Sequence, residues 1–380
     1  MKSYAARRAA LIAQMKAKGG GVAIIPTAPE VMRNRDADYP YRHDSYFYYL
    51  SGFAEPEAVI VLVAGKEDRA ILFCREKNLE REIWDGYRYG PEAAREAFGF
   101  DAAFPISALD AEMPKLMADT PALFYALGSN AKLDGQVQSW LQAVRMQACA
   151  GVTAPSTVHD VHVLLDEMRL FKDAEEIAIM KRAAAISAAA HRRAMQAARP
   201  GLREYHLEAE LLHEFRRNGS QFPAYGSIVA TGANACVLHY RASDAEIKDG
   251  DLVLIDAGCE LDSYASDITR TFPANGRFSG PQQALYEIVL AAQAAAIAET
   301  GPGKRFMDGH DAAVRVLAQG MLDTGLLDRD KVGTLDDVIE KGAYRQFYMH
   351  RTGHWLGMDV HDVGEYRDSL SGGGAEKPWR

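Results

Sequence analysis

The sequence of 380 residues lacks the marks of secreted and membrane proteins. It has only four cysteines, none in CxxC spacing: Cys74, Cys149, Cys236 and Cys259. Such scarcity indicates free thiols in a reducing compartment rather than a disulfide framework. The N-terminus has no apolar core of the length that a secretory signal needs. The longest apolar run, Ala58 to Ala64, is too short to span a bilayer. We therefore expect a cytoplasmic protein with no membrane partner.

Basic residues are also in deficit. The chain has 43 Lys and Arg against 52 Asp and Glu, a formal net charge of −9, and no basic stripe offsets it. Nucleic acid is therefore not expected as a partner. With 48% hydrophobic and 25% charged residues the composition is that of a globular protein, and the length suggests two domains.

Short apolar runs alternate with helical patterns in the first part of the chain. This alternation predicts an α/β domain over residues 1–170, with a boundary near Met168–Lys172. The predicted helices are residues 4–18, 91–98 and 135–147, and the predicted strands are Val22–Ile25, Ala58–Val63, Ala70–Phe73 and Ala122–Ala126.

Tyrosines are concentrated in one segment of this domain, DADYPYRHDSYFYYLSGF. Such aromatic density is typical of a core or an interface, and the same interpretation holds for Trp84 in REIWDG. Asp38, from the tyrosine-rich segment, and Trp84 are nevertheless candidate substrate-binding residues.

The second domain, predicted over residues 171–380, has four amphipathic helical patterns around a central hairpin. A helix should begin at Asp173 and end at Pro200–Gly201. The other predicted helices are residues 204–218, 281–299 and 306–324.

The hairpin, LVLIDAGCELDSYASDITRTFP, carries two aspartates. A turn centred on Leu261–Asp262 would place Asp256 and Asp267 opposite or nearly opposite each other. Like charges there repel, so either one carboxyl is protonated or a cation lies between them. The alternative is that both are solvated ends of an edge hairpin. The apolar run before Asp256 argues against this, because it predicts a strand buried on both faces.

Histidines cluster late in the chain. His350, His354 and His361 lie in MHRTGHWLGMDVHDVG, and His239 precedes the hairpin in NACVLHYRAS. Two aspartates and a histidine form a mixed oxygen and nitrogen set that suits Mn²⁺, Zn²⁺, Co²⁺ or Fe²⁺ better than Ca²⁺. Carboxylates can also bridge two ions that hold a hydroxide for attack on a carbonyl.

These segments resemble the proline-specific metallopeptidases of the creatinase/methionine aminopeptidase, or pita-bread, superfamily. The resemblance to the bacterial Xaa-Pro aminopeptidases (aminopeptidase P) extends through APEVMRNRDADYPYRHDSYFYYLSGFAEPEAVIVL and MRLFKDAEEIAIMKRA, and so covers nearly the whole chain. It implies an N-terminal creatinase-like α/β domain followed by a pita-bread catalytic domain, α+β in class.

The resemblance also implies roles for the site residues. Asp256, Asp267 and His354 would be ligands of two divalent metal ions, with Mn²⁺ the first expectation and Asp267 the bridging ligand. The other three histidines would line the substrate site and handle protons or the tetrahedral intermediate: His239, His350 and His361. The implied partners are proline-containing peptides and further copies of the chain, in a dimer or tetramer whose N-terminal domain helps to wall off the site.

The implied activity is hydrolysis of the bond between an N-terminal residue and a penultimate proline. Two alternatives stay open: an Xaa-Pro dipeptidase (prolidase) of the same superfamily, and an inactive pseudo-peptidase that only binds. Creatinase-like amidinohydrolase activity is disfavoured, because the metal aspartates are present.

The sequence departs from the family pattern at its end. The family completes its metal site with two glutamates, one in a T-x-E-P-G-like segment and one further on, and neither motif occurs before Arg380. Glu365 and Glu376 do not lie in these motifs. This departure predicts a catalytic domain incomplete at its C-terminus, and a 380-residue chain that binds at most one metal ion and is inactive alone.

Overall fold

The structure, a computed structural model, describes residues 4–366. The chain divides into two units between Glu175 and Glu176, whereas the sequence prediction placed the domain boundary after residue 170. The first unit is built on a mixed sheet. Its strands are β1 (Gly21–Pro26), β2 (Met32–Asn34), β3 (Ala37–Asp38), β4 (Val59–Ala64), β5 (Arg69–Cys74), β6 (Ala102–Pro105), β7 (Ala122–Phe124) and β8 (Thr157–His159).

Six of these strands form one sheet in the order β6-β5-β4-β1-β7-β8, and β2 and β3 form a separate exposed hairpin. The four strands predicted from apolar runs are confirmed as β1, β4, β5 and β7. The helices of this unit are α1 (Tyr4–Ala17), α2 (Ser45–Ser51), α3 (Leu79–Asp85), α4 (Gly90–Phe98), α5 (Leu109–Met117), α6 (Ala131–Arg145) and α7 (His162–Leu170).

The core of the first unit lies where α5 and α6 pack on the sheet. Val22, Val61 and Phe73 from the strands join Met113 of α5 and Trp140 of α6 in one buried cluster. The three predicted helices are confirmed as α1, α4 and α6. Short elements such as α2 and β8 were missed because they carry too few residues to show a period.

The second unit contains the predicted helices and hairpin. Its helices are α8 (Ala174–Ala197), α9 (Glu204–Arg217), α10 (Gly280–Ala298), α11 (Phe306–Asp323), α12 (Arg329–Val332) and α13 (Leu335–Glu340). Its strands are β9 (Phe222–Pro223), β10 (Ile228–Thr231), β11 (Leu252–Ala257), β12 (Cys259–Leu261), β13 (Tyr264–Ala265) and β14 (Ile268–Pro273). Within residues 4–366, no helix has both the length and the apolar character needed to cross a membrane.

The hairpin packs on α8 and α9 through one face only. Val253, Ile255 and Ala257 of β11 are buried against alanines of α8 and the stripe of Leu207, Leu211 and Phe215 on α9. Alternate residues of β11, including Asp256, are only partly buried. The prediction of a strand buried on both faces was therefore wrong, because the second face of β11 opens on a cleft.

The turn of the hairpin lies one residue later than predicted. Glu260 pairs with Ala265 and Leu261 with Tyr264, so the turn residues are Asp262 and Ser263. Their φ angles are 49° and 68°, and positive φ at both central residues is what a two-residue type I′ turn requires. The right-handed twist of the strands favours this turn, and aspartate tolerates its left-handed conformation.

Candidate active site

One cleft of the second unit brings together the six candidate residues of that unit. Its volume is about 480 Å³. The described residues that line it are Leu238, His239, Asp256, Asp267, Thr269, His350, Arg351, Thr352, Gly353, His354, Leu356 and His361. Asp38 and Trp84 are not in this set. Both are exposed residues of the first unit, and Trp84 is 80% accessible to solvent.

The two aspartates reach the cleft from neighbouring strands. Asp256 of β11 pairs with Thr269 of β14. Asp267 stands two residues before Thr269, so its side chain is on the same face of the hairpin and diagonal to that of Asp256. The two carboxylates are thus near neighbours rather than directly opposed.

Gly258 allows the two strands to approach closely beside these aspartates. A Cβ atom at this position would lie 1.6 Å from the carbonyl oxygen of Ser266 and 3.0 Å from the amide nitrogen of Asp267. No side chain fits in that space without separating the strands. Glycine is therefore required for the spacing of the hairpin at the position that follows the first aspartate strand.

Tyr225, which follows β9, links the two carboxylates. Its hydroxyl oxygen lies 2.5 Å from Oδ1 of Asp256 and 2.9 Å from Oδ1 of Asp267. A phenol has one proton, so it can donate to only one carboxylate at a time. The second contact needs a proton on a carboxyl group or a cation among the oxygens. Burial, the largest cause, raises the pKa of Asp256, and burial beside both carboxylates raises the pKa of Tyr225 far above its ordinary value.

His354 presents one ring nitrogen to this carboxylate pair. Its Nδ1 lies 2.8 Å from the carbonyl oxygen of Trp355 and therefore carries the hydrogen in the neutral ring. Nε2 is left with a free lone pair and lies 3.1 Å from Oδ2 of Asp267. A lone pair facing a carboxylate is unfavourable unless a proton or a cation lies between them. A backbone carbonyl that fixes Nδ1–H is also the usual support of a histidine metal ligand.

Without a cation, the contact between Asp267 and His354 is an ion pair. The hydrogen bond to Asp267 is the largest cause that raises the pKa of His354. Burial acts to raise the pKa of Asp267, but hydrogen bonds from His354 and Tyr225 outweigh it and leave that pKa lowered. Both side chains are 26% exposed, so solvent screens the pair only in part.

The other three histidines line the same cleft. The ring centroid of His361 lies 4.1 Å from that of His354. Nδ1 of His350 lies 2.8 Å from the carbonyl oxygen of Arg351, and His239 follows β10 on an exposed segment. In the described part of the chain, no three histidine, cysteine, aspartate or glutamate side chains converge on one point as a complete ion site.

The segment 350–366 that carries these late histidines consists of turns and bends. It is fastened to the hairpin because the amide of Ala265 donates to the carbonyl of Gly357 at 2.8 Å. Trp355 stacks on Tyr366 with ring centroids 5.5 Å apart. These contacts explain how a segment without regular structure can hold His354 against Asp267.

Sequence reasoning missed Tyr225 in this cluster. The residue stands alone in FPAYGS, with no motif or spacing that links it to either aspartate. Its role depends on a contact between residues 31 and 42 positions apart, which only the fold supplies. Arg351 of the lining was also missed, although it lies beside His350.

Two protein-family models match the chain. Residues 178–377 match metallopeptidase family M24, and residues 4–125 match the aminopeptidase P N-terminal domain. Together they bear out the two-part fold predicted from the sequence.

Curated relatives match over nearly the whole chain. The Xaa-Pro aminopeptidase of Escherichia coli K12 is 44% identical over 372 residues, which are 97% of this chain and 83% of the relative. The Xaa-Pro aminopeptidase of Haemophilus influenzae is 42% identical, over 96% of this chain and 81% of the relative.

Solved structures agree with these matches. Aminopeptidase PepP of Pseudomonas aeruginosa superposes with a TM-score of 0.95 at 52% identity, covering 99% of this chain and 83% of that one. A zinc-substituted E. coli aminopeptidase P in complex with product superposes with a TM-score of 0.93 at 42% identity, covering 100% of this chain and 84% of that one. Nothing in the comparisons supports the expectation that the 380 residues alone are inactive.

Proposed function

Since the chain belongs to metallopeptidase family M24, we propose that its cleft removes the N-terminal residue from peptides whose second residue is proline. One observation carries the proposal. Three close contacts join the side chains of one cluster, and there are too few protons to place a hydrogen bond in each contact. The cluster consists of Asp256, Asp267, Tyr225 and His354. A divalent cation bound among these atoms supplies the missing positive charge.

Asp256, Asp267 and His354 are the residues of this chain that would contribute ligands to two divalent ions. The donor set fits: two carboxylates share one hydroxyl neighbour, and Nε2 of the histidine is fixed as a lone-pair donor. When bound, such ions activate water and polarise a peptide carbonyl. We propose Mn²⁺ as the first choice, with Zn²⁺, Co²⁺ or Fe²⁺ as alternatives for this mixed set.

The exposed histidines act on the peptide. His239, His350 and His361 line the same cleft but make no contact with the carboxylate pair among the hydrogen bonds described. They are therefore free to orient a substrate carbonyl and to exchange a proton with the leaving amine of proline. A positioned acid or base of this kind contributes about 10²–10⁴-fold to a rate.

The first unit supplies a surface for self-association. Helix α3 buries no residue, and its Ile83 and Trp84 are 82% and 80% exposed. Exposed apolar side chains in adjacent positions favour a protein interface. We infer a homo-oligomer, dimer or tetramer, in which α3 contacts another copy, and we keep Asp38 and Trp84 as candidate contacts to the substrate of that other copy. All four cysteines are free, which supports the cytoplasm as compartment.

The experiment compares three peptides after Mn²⁺ is added to the purified chain: Ala-Pro-Ala, Ala-Pro and Ala-Ala-Ala. Release of alanine from Ala-Pro-Ala alone supports the proposal. Cleavage of Ala-Pro alone indicates a dipeptidase, and metal binding with no cleavage of any peptide indicates a binding module. Equal cleavage of Ala-Ala-Ala would contradict specificity for proline.

A further inference from the structure

A buried carboxylate at the start of α9 has no part in the site described above. Glu204 is 0% exposed, and its two oxygens accept four hydrogen bonds. Oε1 accepts from the amide of Thr231 at 2.8 Å and from Nδ2 of Asn234 at 3.2 Å. Oε2 accepts from the hydroxyl of Tyr240 at 2.9 Å and from the amide of Ala245 at 3.1 Å. A buried charge is tolerated only with such partners, so these bonds are part of the fold.

All four donors belong to one short segment, residues 231–245. Thr231 and Ala245 are its ends, and Asn234 and Tyr240 lie between them. The segment is cross-linked further, because Nδ2 of Asn234 also donates to the hydroxyl of Tyr240 at 3.0 Å. The amide of Glu204 donates in turn to the carbonyl of Ala245 at 3.1 Å. One side chain thus ties the beginning, the middle and the end of the segment to α9.

Apolar packing does little to hold the middle of this segment. Val237 and Leu238 are 54% and 58% exposed, and His239 is exposed as well. After Thr231, which ends β10, regular structure in the segment is confined to a single 3₁₀ turn, Gly232–Cys236. A segment of this kind depends on its polar anchors for a defined conformation.

The segment carries two residues of the cleft, Leu238 and His239. Tyr240, which is bonded to Glu204, directly follows His239. We infer that Glu204 is a positioning residue of the peptidase: its carboxylate fixes the segment 231–245 and so holds His239 at the substrate. This inference rests on the proposed function, because it assigns His239 to the reaction.

The chemistry requires a carboxylate rather than an amide. In Glu204→Gln the side chain keeps its size, but its NH₂ group replaces one acceptor oxygen. The hydroxyl of Tyr240 can rotate and become an acceptor, whereas the amide of Ala245 cannot. One end of the segment therefore loses its anchor, and the buried amide of the glutamine faces a donor.

The test measures amide hydrogen exchange and peptidase kinetics in Glu204→Gln. The matched control is Glu208→Gln, one turn further along α9, which makes the same charge change at a half-buried site. We expect faster exchange across residues 231–245 in Glu204→Gln alone. With Mn²⁺ and Ala-Pro-Ala, kcat/KM should fall by about 10-fold to 10²-fold at unchanged metal content, as expected for a misplaced catalytic group.

A second set of variants separates this inference from the proposed function. In a His239→Ala background, Glu204→Gln should cause little further loss of kcat/KM, and fully additive losses would contradict positioning through His239. If His239→Ala reduces kcat/KM and Glu204→Gln leaves both exchange and kcat/KM at the level of Glu208→Gln, the inference alone is overturned. If His239→Ala has no effect, the role of His239 in the proposed function fails as well. Should Glu204→Gln not fold, Tyr240→Phe removes one anchor and must give a smaller change of the same kind.

Discussion

The carboxylate of Asp267 contacts both Tyr225 and His354 in the candidate metal site. Replacing Asp267 by asparagine therefore tests directly whether it is a metal ligand. Its Oδ2 lies 3.1 Å from Nε2 of His354, and its Oδ1 lies 2.9 Å from the hydroxyl of Tyr225. Asparagine has the same shape and no charge. A hydrogen bond to a charged group contributes about 1.5–3 kcal/mol to stability. Because both members of the ion pair are 26% exposed, and because the variant also removes the repulsion between Asp267 and Asp256, we expect the metal-free chain to lose at most about 1.5 kcal/mol.

The larger effect should appear when metal is added. A ligand at 100 times its dissociation constant stabilises the folded state by about 2.7 kcal/mol. The Asp267→Asn chain should lose most of this gain, because a neutral amide cannot offset the mutual repulsion of two cations. Release of alanine from Ala-Pro-Ala should disappear with it.

Three measurements on chelator-treated protein check this expectation: bound metal after dialysis against Mn²⁺, urea unfolding with and without Mn²⁺, and peptide hydrolysis. The control is Asp262→Asn in the turn of the same hairpin. That side chain is 56% exposed, its ion pair with Arg182 is 3.6 Å long, and asparagine accepts a φ of 49°. A surface pair of this kind contributes about 0–1 kcal/mol.

The result that refutes the assignment is an Asp267→Asn chain that behaves like Asp262→Asn in metal content, metal-induced stabilisation and turnover. Equal losses in both variants would show that the hairpin fold, rather than a ligand, had been damaged.

Three further predictions follow from the same geometry. His354→Ala should lower metal content, whereas His350→Ala and His361→Ala should keep metal and lose about 10²–10⁴-fold in rate; equal metal loss in all three contradicts these roles. In the metal-free chain, the ion pair of His354 should stabilise the fold below the raised pKa of that histidine and above the lowered pKa of its aspartate partner. The contribution of this ion pair to the free energy of unfolding in urea should vanish as the pH rises through the pKa of His354 or falls through the pKa of Asp267. If the difference in unfolding free energy between the unmodified chain and His354→Ala does not depend on pH, the prediction is wrong. Trp84→Ser should shift sedimentation towards a smaller species while Leu127→Ser, at a site 66% exposed, does not; two identical profiles would remove α3 from the interface.

The sequence predicted those parts of the structure that depend on local pattern. Apolar runs located β1, β4, β5 and β7, and helical periods located α9, α10 and α11. The hairpin was predicted with its turn one residue early. The sequence allows a turn centred on Leu261–Asp262 or on Asp262–Ser263, and only the pairing of the two strands shows that the second is correct. That register follows from which face of β11 packs on α8 and α9, a property of the assembled unit.

The site was predictable only where its residues occur in motifs. Asp256, Asp267 and the late histidines stand in recognisable segments, and the fold brings them to one cleft. Tyr225 contacts two carboxylates and Glu204 accepts four hydrogen bonds, and all of these partners lie 27 to 42 positions away in the sequence. No local sequence pattern predicts such contacts. The exposure of α3 also required the structure, because seven residues are too few for a reliable apolar period.

The close approach of the two strands at Gly258 limits which substitutions this sequence can accept during evolution. An added methyl group would lie 1.6 Å from the Ser266 carbonyl oxygen, so any replacement forces the backbones apart. The two aspartates would then be carried away from each other by their own strands. Rotation about the side-chain bonds of the two aspartates cannot restore the distance between their carboxylates, because the main chain sets it. Glutamate at either position would reach further, but its carboxylate would face the other carboxylate at a different angle. We therefore expect a library of active variants to contain only glycine at position 258, although Gly258 itself contacts neither metal nor substrate in the proposed mechanism.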